Sequence, residues 1–281
     1  MRMKPVALTA FSFFIIVLGF LFFSRLGLVS VMMFLGQSRS VVDQAQEQRA
    51  SILTIAAAAD LRFALDEIIP AFQSQHPELG IRVTYGSSGN FYAQLTNHAP
   101  FDVFLSADME YPRKLIEQGL ASPGSEFQYG VGHLVLWVVH DSPLEIDKRG
   151  MRALLEPSVQ KIALANPRHA PYGRAAEAAL KSTGLYEKVQ ERLVFGENVA
   201  QASQFVESGS ADAGLIPLSL ALAPRMRAKG RYWQIPLDAY PRMEQGGVIL
   251  SWTKNLRAAE ALRDFILGEQ GKTILRRFGL G

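Results

Sequence analysis

From Ser51 onward the chain alternates between short apolar runs and longer stretches in which apolar residues return every three or four positions. The run "ILTIAAAA" is apolar throughout and suits a strand covered on both faces. It feeds "DLRFALDEIIPAFQSQ", where Leu61, Leu65, Ile68 and Phe72 share one helical face. Asp60 is expected to cap that helix, and Pro70 to bend or shorten it. Strand "IRVTY", loop "GSSGN", a short helix from Phe91, strand "DVFLSA" and a helix opening after Asp108 follow. The order β-α-β-α-β is the pattern of a parallel sheet flanked by helices.

A second alternating set begins near Tyr129: "HLVLWVV", "KIALA", a helix from Gly173, "RLVF", a helix from Val199, then "AGLIP". The chain closes with "GGVILSW" and one long helix predicted from Leu256 to Phe278. Connections near Phe127–Gly132 and Ile235–Gln245 are the candidate crossings between two lobes. The expected organisation is a leader at 1–36, a linker at 37–50, a first lobe at 51–130 and 237–281, and a second lobe at 131–236.

The leader changes the picture drawn from composition. The 281 residues carry a net charge of +3, yet Arg2, Lys4 and Arg25 are the only charged residues before Gly36. The remainder is therefore neutral, and the basic signal is no phosphate-binding face. No nucleic-acid partner is expected. Arg2 and Lys4 precede the uncharged run "VALTAFSFFIIVLGFLFF", which is the export pattern. The run lies between the lengths of a signal-peptide core and of a bilayer span. A cleaved signal and an uncleaved inner-membrane anchor, a hydrophobic helix, both fit. Either places the rest outside the cytoplasm, in the periplasm.

The chain has no cysteine, which removes disulfides, thiol catalysis and cysteine–zinc sites. The five histidines never fall in H-E-x-x-H spacing. "GSSGN" lacks the spacing of a nucleophile elbow and the lysine of a nucleotide-phosphate loop. No catalytic group is evident, so the chain is read as a non-enzyme.

What remains are three strand-to-helix junctions rich in small or hydroxyl residues: "AAAADL", "GSSGN" and "ANPRHAPYGRAA". In open α/β sheets ligands lie at the carboxyl ends of strands. Helix N-termini there offer unpaired N–H donors and partial positive charge to anions. Ser87 and Ser88 would add hydroxyl donors, with Gly86 and Gly89 permitting close approach.

Taken together, "AAAADL", "GSSGNFYAQL", "APFDVFLSAD", "ANPRHAPYGRAAEAAL", "GENVAQA" and "FILGEQGKTILRRFGL" resemble the periplasmic molybdate-binding proteins of ABC importers. The resemblance implies the α/β, two-lobed type II periplasmic-binding-protein fold, each lobe a mostly parallel sheet flanked by helices. It also implies a monomer that traps molybdate or tungstate as an oxyanion between the lobes and hands it to a membrane permease, without cofactor or bound metal ion. Carried over residue by residue, the ligand positions are Ser88, Tyr172 through its backbone N–H, and Val199 through its own.

Two positions depart from that pattern. Where the family carries a hydroxyl residue, this chain has Asp60, and where a tyrosine is frequent it has Pro217, leaving Ser219 as the replacement donor. Two unit charges about 4 Å apart repel by about 4 kcal/mol at an effective dielectric near 20, and a dianion roughly doubles that. Asp60 is therefore expected to turn back and cap its own helix. A carrier for a different small ligand and a membrane-tethered oxyanion-sensing domain are the alternatives that Asp60, Pro217 and the leader keep open.

Overall fold

The computed structural model describes residues 52–281; the expectations placed on the leader and linker lie outside the described residues. In chain order the described residues form β1 (Ile52–Ala58), α1 (Arg62–Gln73), β2 (Gly80–Gly86), α2 (Ser88–Leu95), β3 (Val103–Ser106) and α3 (Glu110–Glu117). Then come β4 (Phe127–Gly132), β5 (Leu134–Val139), β6 (Ile162–Ala165), α4 (Pro171–Ser182), β7 (Leu193–Gly196), α5 (Val199–Glu207) and β8 (Ala213–Pro217). The series ends with β9 (Gly230–Gln234), β10 (Met243–Ile249), α6 (Leu256–Leu267) and α7 (Glu269–Arg277), shorter helical turns being left unlabelled.

The strands build two sheets, ordered β2-β1-β3-β10-β4 and β7-β6-β8-β5-β9. β1 is parallel to β2 and β3, so Ile55 lies between Val83 and Val103. This central position explains its unbroken apolar run, since both faces need covering. β10 runs antiparallel between β3 and β4, and β5 antiparallel between β8 and β9, which makes each sheet mixed. The antiparallel members are the strands next to the two crossings. β4 ends at Gly132 and β5 starts at Leu134 in the other sheet; the return runs from Gln234 to Met243. The crossings are tied together: the Leu134 N–H donates to the Tyr240 hydroxyl at 3.0 Å, and the Ile235 N–H to the Leu134 carbonyl at 3.0 Å.

The first lobe packs α1, α6 and α7 on one face of its sheet through Leu65, Ile68, Phe72, Leu262, Ile274 and Phe278. Phe91, Leu95, Phe104 and Leu115 fill the other face. Burying a side chain such as Phe72 stabilises the lobe by about 1.5–3 kcal/mol. α1 continues through Pro70 to Gln73 rather than stopping there. Pro70 and Asp66, whose carbonyl loses its N–H partner, are both exposed, so water can replace the bond while Ile68 and Phe72 anchor the buried side. The predicted terminal helix is broken at Gly268, whose extended backbone (ψ 170°) separates α6 from α7. α2 starts at Ser88 rather than at Phe91, and α4 at Pro171 rather than at Gly173. Among the described residues no helix is long and apolar enough to cross a membrane.

Candidate functional site

The carboxyl ends of β1, β2 and β3 in one lobe, and of β6 and β7 in the other, are drawn together at the seam between the lobes. Ala58, Ala59 and Ala107 of the first lobe share one buried cluster with Ala170, Tyr172 and Val199 of the second. The small side chains at these junctions let three helix starts approach.

At the start of α2, Ser87 is the N-cap with extended backbone, so Ser88 occupies the first helical position. Ser88 is fully buried, and its Oγ accepts the Ala107 N–H at 3.0 Å, leaving its own hydrogen free to be given. Ser87 is 5% exposed, and its Oγ has no partner. One residue on, the Gly89 N–H donates to the His169 carbonyl of the opposite lobe at 2.9 Å.

α4 opens with Pro171, whose fixed φ and missing N–H suit the first helical position. Tyr172 follows, and its N–H belongs to the first turn, where no intrahelical acceptor exists. Gly173 fixes this start close to β6: a Cβ there would collide with the Ala165 carbonyl. At α5 the Asn198 side chain accepts from the Ala200 and Gln201 N–H groups at 3.0 and 3.2 Å. That cap takes the second and third donors and leaves the Val199 N–H as the first.

Asp60 corrects its expectation. It lies in the 3₁₀ turn Ala59–Leu61 and caps no helix. Its Oδ2 instead accepts from Gln245 Nε2 at 2.8 Å, and the same amide reaches the Tyr172 hydroxyl at 2.9 Å. Asp60 is 1% exposed, and Asp60 Oδ1 and Gln245 Oε1 have no partner. Burial pushes the Asp60 carboxyl up to about 6, opposed by the hydrogen bonds from Gln245 and Tyr172. Burial also pushes the Tyr172 and Tyr129 phenols well above their usual range, with the nearby Asp60 charge adding to the rise. Ser219 gives its one hydroxyl hydrogen to the Asp60 carbonyl at 2.8 Å, which commits the expected replacement donor to backbone.

At the rim, Arg174 of α4 donates to Asp108 at 2.5 Å and to the Tyr111 hydroxyl at 3.0 Å, joining the lobes again. Among the described residues no group of histidine and carboxylate side chains is placed to hold a metal ion. No nucleophile is paired with a base here. The arrangement gathers the starts of α2, α4 and α5, each with neutral N–H or hydroxyl groups, at the seam between the lobes.

The profile of the bacterial extracellular solute-binding proteins matches residues 53–281. The chain belongs to this family. As a member of it, the chain is a solute-binding protein and not an enzyme. Similar members include the molybdate-binding protein ModA of Rhodobacter capsulatus, 39% identical over 71% of this chain and 77% of that protein. The ModA protein of Azotobacter vinelandii is 36% identical over 83% of this chain and 91% of that protein. The solved periplasmic molybdate-binding protein of Azotobacter vinelandii superposes with a TM-score of 0.77, covering 82% of this chain and 98% of that one. The two-lobed solute-binding fold is thus shared.

Some groups at this seam are not signalled by motif. Gln245 is fully buried in β10, and its only sequence sign is an amide directly before the apolar run "GGVIL". Asp108 and Arg174 lie in stretches that mark the family resemblance, but nothing in either stretch points to the other.

Proposed function

We propose that this chain is the extracytoplasmic binding component of an ABC importer, capturing a tetrahedral oxyanion of the molybdate type. Exported or tethered by its leader, it delivers the anion to a membrane permease. The observation that carries this reading is the buried, unpartnered Ser87 hydroxyl at the start of α2, in a seam shared with the starts of α4 and α5. An unsatisfied buried hydroxyl calls for a partner, and an anion supplies acceptors to every donor present. The Ser87 and Ser88 hydroxyls and the Tyr172 and Val199 N–H groups would replace the hydration shell of the ligand with fixed neutral dipoles. Ser219 stands behind this set and holds the turn that carries Asp60.

Lobe closure is the step that pre-organises these donors, because they come from both lobes. Neutral donors suit a carrier, which must also release its load. Size then selects among anions of one shape: molybdate and tungstate are expected to bind, and the smaller sulfate to bind more weakly. Calorimetric titration with the three sodium salts checks this directly. Failure of all three to bind, or preference for a cationic or neutral solute, would overturn the reading.

A further inference from the structure

Resting on that reading, we infer that Asp60 enters the closed, loaded cleft as its neutral acid and donates a hydrogen bond to the oxyanion, so that each dianion captured brings one proton from solvent.

The geometry leaves little else for this side chain to do. Asp60 is buried between the lobes and, among the described residues, pairs with no lysine or arginine. Its two oxygens are unequal. Oδ2 accepts the Gln245 amide at 2.8 Å and so is fixed as an acceptor, whereas Oδ1 is buried with no partner. A carboxylate with a bare Oδ1 beside a doubly charged guest would leave two like charges in a dry site. A proton on Oδ1 removes the repulsion and turns the orphaned atom into a donor. Gln245 fits this state: its Nε2 bridges Asp60 and the Tyr172 hydroxyl, tying the acid to the helix start whose N–H is proposed to face the anion.

The groups facing Asp60 do not supply this proton. Tyr172 of α4 and Tyr129 of β4 are phenols held neutral by burial, and Gln245 of β10 and Ser219 carry no charge. Arg62 and Asp66 on α1 act on Tyr85, and Glu207 on α5 pairs with Arg225 and Lys229. Asp108 and Arg174 at the rim neutralise each other. The His169 ring, on the loop before α4, is engaged with the Glu197 carbonyl at 2.9 Å.

Burial raises the Asp60 carboxyl to about 6, and a bound dianion raises it further. Below that value the proton is already in place and affinity is flat. Above it, each captured anion takes up a proton, and affinity falls by up to about tenfold per pH unit.

The test is calorimetric titration of the full chain, in mild detergent, with sodium molybdate near pH 7.5, in HEPES and in Tris, whose ionisation enthalpies differ. The expected result is close to one proton taken up per molybdate. In D60N the amide is a permanent donor: proton uptake is expected to vanish, and binding at pH 8 to become at least tenfold tighter than wild type. Wild-type binding with no proton uptake would overturn the inference alone and leave the oxyanion reading standing. So would proton uptake in the wild type with no molybdate binding by a D60N protein that melts normally, because the proton would then sit on the ligand. Absence of binding to any oxyanion between about pH 5.5 and 8.5 would overturn the oxyanion reading itself.

Discussion

Arg174 Nη2 lies 2.5 Å from Asp108 Oδ2, and the two residues belong to opposite lobes. Each side chain is about a third exposed, so the pair is partly screened and contributes modestly, on the order of 1 kcal/mol. It forms only when the lobes meet, and its energy therefore favours closure over opening. Asp108→Asn is expected to weaken ligand affinity by about fivefold through faster release, with little effect on capture rate. Stopped-flow dissociation in low and high salt checks this. The difference between variant and wild type should shrink as salt screens the pair.

Gly89 sets how closely the lobes meet. Its N–H donates to the His169 carbonyl at 2.9 Å, and a Cβ at this position would lie 2.6 Å from that carbonyl oxygen and 2.9 Å from the Tyr111 hydroxyl. Gly89→Ala should leave the open protein folded, since alanine favours the helix in which it stands. Closure, however, would meet backbone rather than a movable side chain. Affinity is expected to fall more than tenfold while the melting temperature of the ligand-free protein holds or rises slightly. An alanine variant that binds as wild type does would show that the lobes need not approach this closely.

The strands and helices were legible because their apolar periodicity is local. "ILTIAAAA" reads as a doubly covered strand, and Leu61, Leu65, Ile68 and Phe72 read as a helix face, from their own spacing. That α1 runs on past Pro70 was not legible, because the cost of a proline depends on whether water can reach the orphaned carbonyl, which is a tertiary fact. The loops before α2 and α4 were visible as small-residue junctions, whereas Tyr172 and Val199 entered only through the family resemblance. The environment of Asp60 was not, because its partner Gln245 lies 185 residues away in sequence. Asp108 and Arg174, separated by 66 residues, were hidden for the same reason.

Asn198 holds the start of α5 by accepting from the Ala200 and Gln201 N–H groups. Asn198→Ala removes both bonds and is expected to lower stability by about 1 kcal/mol. It also frees two donors next to Val199, so the anion would meet a looser helix start. Chemical denaturation measures the first effect and calorimetry the second, expected as a several-fold loss in affinity. Loss of stability with affinity unchanged would separate the cap from the site.

The Asp60 carboxyl also makes folding itself depend on pH, independently of any ligand. Its folded value is raised from 3.8 to about 6, chiefly by burial. The folded state therefore binds the proton more tightly than the unfolded state does, and between these two values it carries more protons. Stability is fully present below about 4, falls as pH rises through about 6, and is level above that. The span corresponds to on the order of 3 kcal/mol. Asp60→Asn has no such proton to lose. Urea unfolding of variant and wild type at pH 4 and pH 7.5 should show the variant gaining relative stability by that order as the pH rises. A difference that stays constant across the range would mean that water reaches the carboxylate and that its burial carries no charge penalty.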